Sequence, residues 1–260
     1  MRILPAAGAA IAALALGITP AFADGATNEL GKAESSAGTP SAELEAFFSS
    51  RKIERGMVEN AESVFGYEAE IGWLGFFAGV EGCYDMTGVN GRRGRYNEIT
   101  PRAGYGAKFG DLSVKAAYIY KKCKECAGEE EHTQEIELEA EYETPWLTPF
   151  MSLNCDIDMK PGATYGAFGL KREWEVAKWL TASVNGGIGF GNAGRNRLDF
   201  GRDCCAFRDM HLGAELEFEL CPNVKLVPAI DFYDQFTSKA RHQYRKGFAA
   251  VAGVRLSVEF

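Results

Sequence analysis

From Glu135 to Tyr142 a carboxylate takes every second position: Glu135, Glu137, Glu139 and Glu141 alternate with Ile136, Leu138, Ala140 and Tyr142. Only an extended strand puts such residues on two opposite faces, one charged and one apolar. Gly247–Phe260 repeats the arrangement, with Phe248, Ala250, Ala252, Val254, Leu256, Val258 and Phe260 on one face and Arg255 and Glu259 on the other. His211–Leu220 does so again, setting Glu215, Glu217 and Glu219 against Leu212, Ala214, Leu216, Phe218 and Leu220. An apolar face turned to lipid and a polar face turned to a lumen is the pattern of a membrane-spanning β-barrel strand.

Period-two segments of this kind recur with little helical periodicity. Twelve are predicted: Ala42–Ser50, Val64–Trp73, Phe76–Tyr84, Asn97–Lys108, Leu112–Lys121, Thr133–Tyr142, Phe150–Met159, Thr164–Trp174, Leu180–Gly191, Phe207–Leu220, Lys225–Phe236 and Gly247–Phe260. Connections after even-numbered segments are short, as at Leu74-Gly75 and Cys221–Val224. Those after odd-numbered segments are mostly longer and polar, as at Arg51–Ser63, Asp85–Tyr96, Lys122–His132, Asn192–Ala206 and Thr237–Lys246. Tight turns on one rim and long loops on the other distinguish an outer-membrane barrel. The expected fold is therefore all-β, a 12-stranded antiparallel transmembrane outer-membrane β-barrel over 42–260. Arg172 and Arg208 are the charges that fall on the outward faces, near strand ends, and Pro101 interrupts the fourth segment. Trp73, Phe76, Phe109, Tyr142, Trp146, Phe150, Trp174, Trp179 and Phe260 gather where segments meet turns, the level of an interfacial aromatic girdle.

The start of the chain fits export. Met1-Arg2, an apolar run to Ile18 and Ala21-Phe22-Ala23 read as a signal peptide over 1–23. Residues 24–41, rich in Gly, Ala, Ser, Thr and Glu, read as a disordered leader. Without Arg2 the chain carries 27 basic and 36 acidic side chains, a net of −9, which argues against nucleic acid as a partner. No later apolar run reaches the ~20 residues of a transmembrane helix.

Arg51-x-Ile53-x-Arg55-Gly56, Gly75-Phe76-Phe77-Ala78-Gly79-Val80, Gly104-Tyr105, Phe109-Gly110-Asp111-Leu112-Ser113 and Tyr118-Ile119-Tyr120 resemble motifs of the TorF family of porin-like outer-membrane proteins. The resemblance is clear over about 42–121 and architectural beyond. It implies a porin-like barrel in the outer membrane of a Gram-negative bacterium. A closing strand that ends on Phe260 likewise resembles the signal read by the barrel-assembly machinery.

By parity the inward face holds Glu68, Glu70, Glu98, Glu135, Glu137, Glu139, Asp156, Asp158, Glu215, Glu217 and Asp231, opposed by Arg102, Lys115 and Arg255. Two readings follow: a lumen filled by ion pairs, or a narrow water-filled pore whose excess carboxylates favour cations. The expected function is passage of small hydrophilic solutes, with a non-conducting structural or adhesive barrel as the alternative. Arg51, Lys52, Arg55, Arg92, Arg93, Arg95, Lys122, Lys124, Arg195, Arg197, Arg202, Lys239, Arg241, Arg245 and Lys246 are expected on the outer rim, where lipopolysaccharide phosphates are the natural contact. Cys123, Cys126, Cys204 and Cys205 are candidates for loop disulfides in an exported protein. With His132 nearby, Cys123 and Cys126 make only a weak metal motif, so neither metal nor cofactor is expected. His132, His211 and His242 have no serine motif beside them, and no residue takes a catalytic role.

Overall fold

The alternation closes on itself. The computed structural model describes residues 39–88, 93–124, 130–236 and 248–260, with the side chains of 123, 124, 130 and 131 outside that description. Twelve strands form one closed antiparallel barrel: β1 (Ser41–Ser49), β4 (Val64–Trp73), β5 (Phe76–Asp85), β6 (Tyr96–Phe109), β7 (Leu112–Lys124), β8 (Glu130–Tyr142), β9 (Thr148–Asp156), β10 (Thr164–Ala177), β11 (Leu180–Gly191), β12 (Ala206–Cys221), β13 (Val224–Gln235) and β14 (Phe248–Glu259). Each strand pairs with its neighbour in sequence, and β1 closes the ring against β14, with Glu43 opposite Glu259 and Ser49 opposite Gly253. The backbones of Ala42 and Phe260 exchange two hydrogen bonds at that seam. The expected signal peptide and most of the expected leader lie outside the described residues, and β1 begins at Ser41.

The faces separate as the alternation requires. Ile136, Leu138 and Tyr142 of β8 are exposed on the outside while Glu135, Glu139 and Glu141 are buried within. Exposed Leu212, Leu216 and Leu220 of β12 continue the apolar outer surface. The rim of short turns is tight: Leu74 and Gly75 both take positive φ in a two-residue hairpin turn. Of the three prolines in barrel strands, Pro149 lies at the start of β9, and Pro101 and Pro228 sit where one neighbouring ladder is interrupted. The β6–β7 pairing skips Thr100 and Pro101, and the β12–β13 pairing skips Val227 and Pro228. A ring nitrogen has no hydrogen to offer that ladder.

Several expectations need correction. Phe150 is buried on the inward face rather than in the outer girdle, because it lies opposite Glu141 and Gly169 and fills the space that Gly169 and Gly187 leave. Trp73, Phe76, Phe109, Tyr142, Trp146, Trp174, Trp179 and Phe260 are exposed. Lys122 and His132 face each other as paired residues of β7 and β8, so that hairpin extends further than expected. β9 stops at Asp156, whose Oδ1 accepts from the backbone N–H of Asp158 and Lys160 and turns the chain. Asp158 is thereby carried out of the lumen to the outward-facing Gln134 and His132. Residues 192–206, read as a loop, contain a helix, α1 (Ala193–Phe200), with Asn192 as N-cap and Gly201 in the left-handed conformation just beyond it.

Candidate functional site: the long-loop mouth of the lumen

The segment after β1 turns into the barrel. Lys52–Glu54 (β2) and Met57–Asn60 (β3) pair as a short hairpin, with Glu54 opposite Met57 and a two-residue turn at Arg55 and Gly56. Both turn residues have positive φ, 52° and 73°, the geometry that matches the twist of a hairpin. Lys52 and Arg55, expected on the outer rim, are buried in the lumen, 3% and 5% exposed. The physical reason is that the barrel wall below the mouth offers them carboxylates.

The contacts cross the lumen. Lys52 Nζ bonds Glu98 of β6 and lies 2.8 Å from Glu59. Lys121 of β7 bonds Glu54. The Arg55 guanidinium makes a two-pronged contact with Glu135 of β8, Nη1 donating to Oε1 at 2.7 Å. Asn60 donates to Asp85 of β5, and Gln235 of β13 donates to the backbone oxygen of Gly56. A Cβ on Gly56 would overlap the Asp209 carboxylate of β12. Ile53 packs with Tyr233, Ala249 and Val251 of β13 and β14, with Val58 against the same cluster. The hairpin therefore touches seven of the twelve barrel strands, all near their long-loop ends.

Charge balance dominates this layer. The carboxylates of Glu54, Glu59 and Glu98 lie within 4.8 Å of one another, and the ammonium groups of Lys52 and Lys121 reach into the same cluster. Burial disfavours the Lys52 ammonium, but Glu59, Glu98 and Glu54 outweigh it and hold its pKa well above the ordinary value. Burial likewise disfavours the Glu54 carboxylate, and Lys121, Lys52 and Arg55 overcome it, so its pKa falls well below the usual range. Glu59 goes the other way. Burial, then repulsion from Glu54, exceed the pull of Lys121 and Lys52 and push it up to about 7, although about a third of its side chain still meets lumen water.

A bulge in β12 serves both elements at the mouth. Opposite Gly189 and Phe190 of β11 the ladder skips Arg208, so Arg208 and Asp209 both turn inward. Arg208, expected on the outward face, lies 2.6 Å from Asp199 of α1, under the Phe200 ring and beside Tyr165. Asp209 accepts from the Tyr165 hydroxyl and abuts the hairpin tip. Asn196 of α1 donates to the backbone oxygens of Gly191 and Cys204, fixing the helix over the rim.

Below the hairpin the lumen is lined by ion pairs. Arg102 reaches Glu68 and Glu70; Arg255 reaches Glu215 at 3.2 Å; Lys225 reaches Glu217 at 3.1 Å. Lys115 lies over the Phe77 ring, and its strand partner is Glu139. Glu137 is paired with Ala117 across the β7–β8 ladder, and Asp156 accepts from Thr133. Asp231 lies opposite Gly213 and Val251 on the inward face. A polar cavity of about 140 Å³ remains toward the turn rim, lined by Lys171, Glu173, Thr181, Ser183, Asn185, Glu215, Glu217 and Arg255. His211 is buried between the rings of Phe150 and Tyr233. Cys204 and Cys205 are exposed free thiols beyond α1. Cys126, the side chain of Cys123, His242, Arg92 and the rim residues Lys239, Arg241, Arg245 and Lys246 lie outside the described residues.

No family model and no curated protein matches the chain. Solved structures of similar shape include the NanC porin, at 11% identity over 84% of this chain and 98% of that one, with a TM-score of 0.45. The KdgM porin gives 10% identity over 85% and 98%, with a TM-score of 0.46. The outer membrane channel DcaP of Acinetobacter baumannii gives 8% over 87% and 98%, with a TM-score of 0.40. The barrel stands on its own ladders, independent of these likenesses.

The inward hairpin had a signal in the sequence. Arg55-Gly56 sits between two short runs that carry the β-branched residues Ile53 and Val58, and a residue–glycine pair in that setting marks a tight hairpin. Asn192 and Gly201, nine residues apart, likewise bracket α1 as cap residues.

Proposed function

We propose that this barrel is a porin-like channel of a Gram-negative outer membrane, passing small hydrophilic solutes and preferring cations. One observation carries the reading: a closed barrel, apolar outside, whose inward face bears more carboxylates than basic groups among the described residues. Rings of like charge set the sign of the ion that enters. The motifs resembling the TorF family agree with it, and on this reading lipid covers the outer band, lipopolysaccharide contacts the rim and Phe260 serves as the assembly signal. Planar-bilayer recordings on the purified protein test it. Ohmic conductance with a reversal potential on the cation side is expected; a reversal potential favouring chloride would overturn the selectivity.

The hairpin across the mouth favours a second reading, a structural or adhesive barrel that conducts nothing. Silence in the same recordings, from wild type and from a barrel lacking residues 52–60, selects it.

A further inference from the structure

We infer that the β2–β3 hairpin is a removable plug, latched across the mouth by charge rather than by apolar packing, and that its withdrawal is what opens the lumen. The inference rests on the channel reading and names its regulation.

Three features carry it. The first is the nature of the docking surface. Its apolar content is Ile53 and Val58 against three residues of β13 and β14, whereas Lys52, Glu54 and Arg55 all dock through ionic contacts. An apolar plug would expose oily surface on leaving. Charged groups regain water on both sides of the contact, and a buried ion pair contributes little net free energy once desolvation is counted. Docked and withdrawn hairpins are therefore close in free energy despite the many contacts.

The second feature is attachment. β1 and β4 are neighbours in the barrel, and Ser49 lies opposite Val64 where the hairpin segment leaves and returns. Both ends of residues 50–63 start from one point on the rim. The hairpin can swing outward with the β1–β4 ladder intact.

The third feature is that each latch has one partner on the wall and one on the hairpin. Removing a wall carboxylate leaves a hairpin cation without its partner on the wall, and Lys52 then keeps only Glu59 and Glu54 of its own hairpin. Bulk water beyond the mouth solvates that cation, so losing one partner favours withdrawal.

The test uses the full-length protein in lipid or detergent, with heat-modifiable gel migration as the check on folding. Lys52 and Arg55 are tryptic sites buried only while the hairpin is docked. Glu98→Gln combined with Glu135→Gln is expected to speed nicking at these sites at least tenfold and to raise single-channel conductance several-fold. Should that pair fail to fold, Arg55→Ala alters the hairpin and no barrel strand; a Glu-specific protease then reads cleavage at Glu54 and Glu59. Unchanged nicking overturns the latch. Faster nicking with unchanged conductance places the hairpin off the conducting path and overturns the plug while the channel stands. Silence from wild type, variants and a barrel lacking residues 52–60 overturns plug and channel together.

Discussion

Gly56 concentrates the demands made on single residues at the mouth. It takes a φ that side chains disfavour, accepts from Gln235 and leaves no room for a Cβ beside Asp209. Glu59 is the other sensitive position. Its pKa is about 7 when the hairpin is docked and that of an ordinary carboxylate when it is withdrawn. The docked state thus binds its proton more tightly. Ionised Glu59 opposes docking fully above pH 7, and the opposition fades as pH falls from 7 to about 4.5, the usual carboxylate range. Glu59→Gln should increase amide-exchange protection of Lys52–Asn60 at pH 8, with the gain shrinking toward pH 4.5. A gain independent of pH would count against it. The inward positions of Glu68, Glu135 and Glu215 could be read from parity alone, because strand alternation is local. Arg208 could not, since one extra residue in a ladder reverses parity and nothing near Phe207 announces the bulge.

Among the elements, the strands were the most legible. Val64–Trp73 and Leu180–Gly191 have the boundaries that their alternation and turns imply. Two elements were not. The hairpin is seven strand residues, six of them paired, whose register is set by partners across the lumen, and α1 is a polar helix of eight residues without an apolar face long enough to read. Such a short helix depends on its ends. Asn192 accepts from the Arg195 N–H at 2.9 Å, and Asn192→Ala should destabilise α1 by about 1 kcal/mol. The readout is protease sensitivity confined to residues 192–206, where Asp199 would lose its hold on Arg208. Barrel melting should not shift; a large shift would mean that the helix supports the wall as well as the mouth.

At the scale of the whole molecule, stability rests on the contrast between outer and inner surfaces. Leu138 is 48% exposed on the outer face of β8, flanked by lumen-facing Glu137 and Glu139. Leu138→Arg would put a charge in the apolar band and should cost about 2–4 kcal/mol of stability in bilayers. Glu137→Gln, one residue away, should leave unfolding in lipid nearly unchanged and reduce cation preference. Equal effects on unfolding would contradict the assignment of faces. The separation of faces was legible because it repeats in every strand; the filling of the mouth was not, because it depends on residues far apart in sequence.

Gly56 and Gln235 meet across 179 residues of chain. The hairpin is made second, directly after β1, yet much of the wall that receives it belongs to β12, β13 and β14, the last strands to leave the ribosome. A contact of such long range cannot form until the intervening sheet has curled and its two edges have met. An unfinished sheet offers the tip Glu135 of β8 but none of its contacts with β12, β13 and β14. Docking of the hairpin therefore reports that the ring is complete, and a barrel stalled with β14 unpaired would be left unstoppered as well as unsealed.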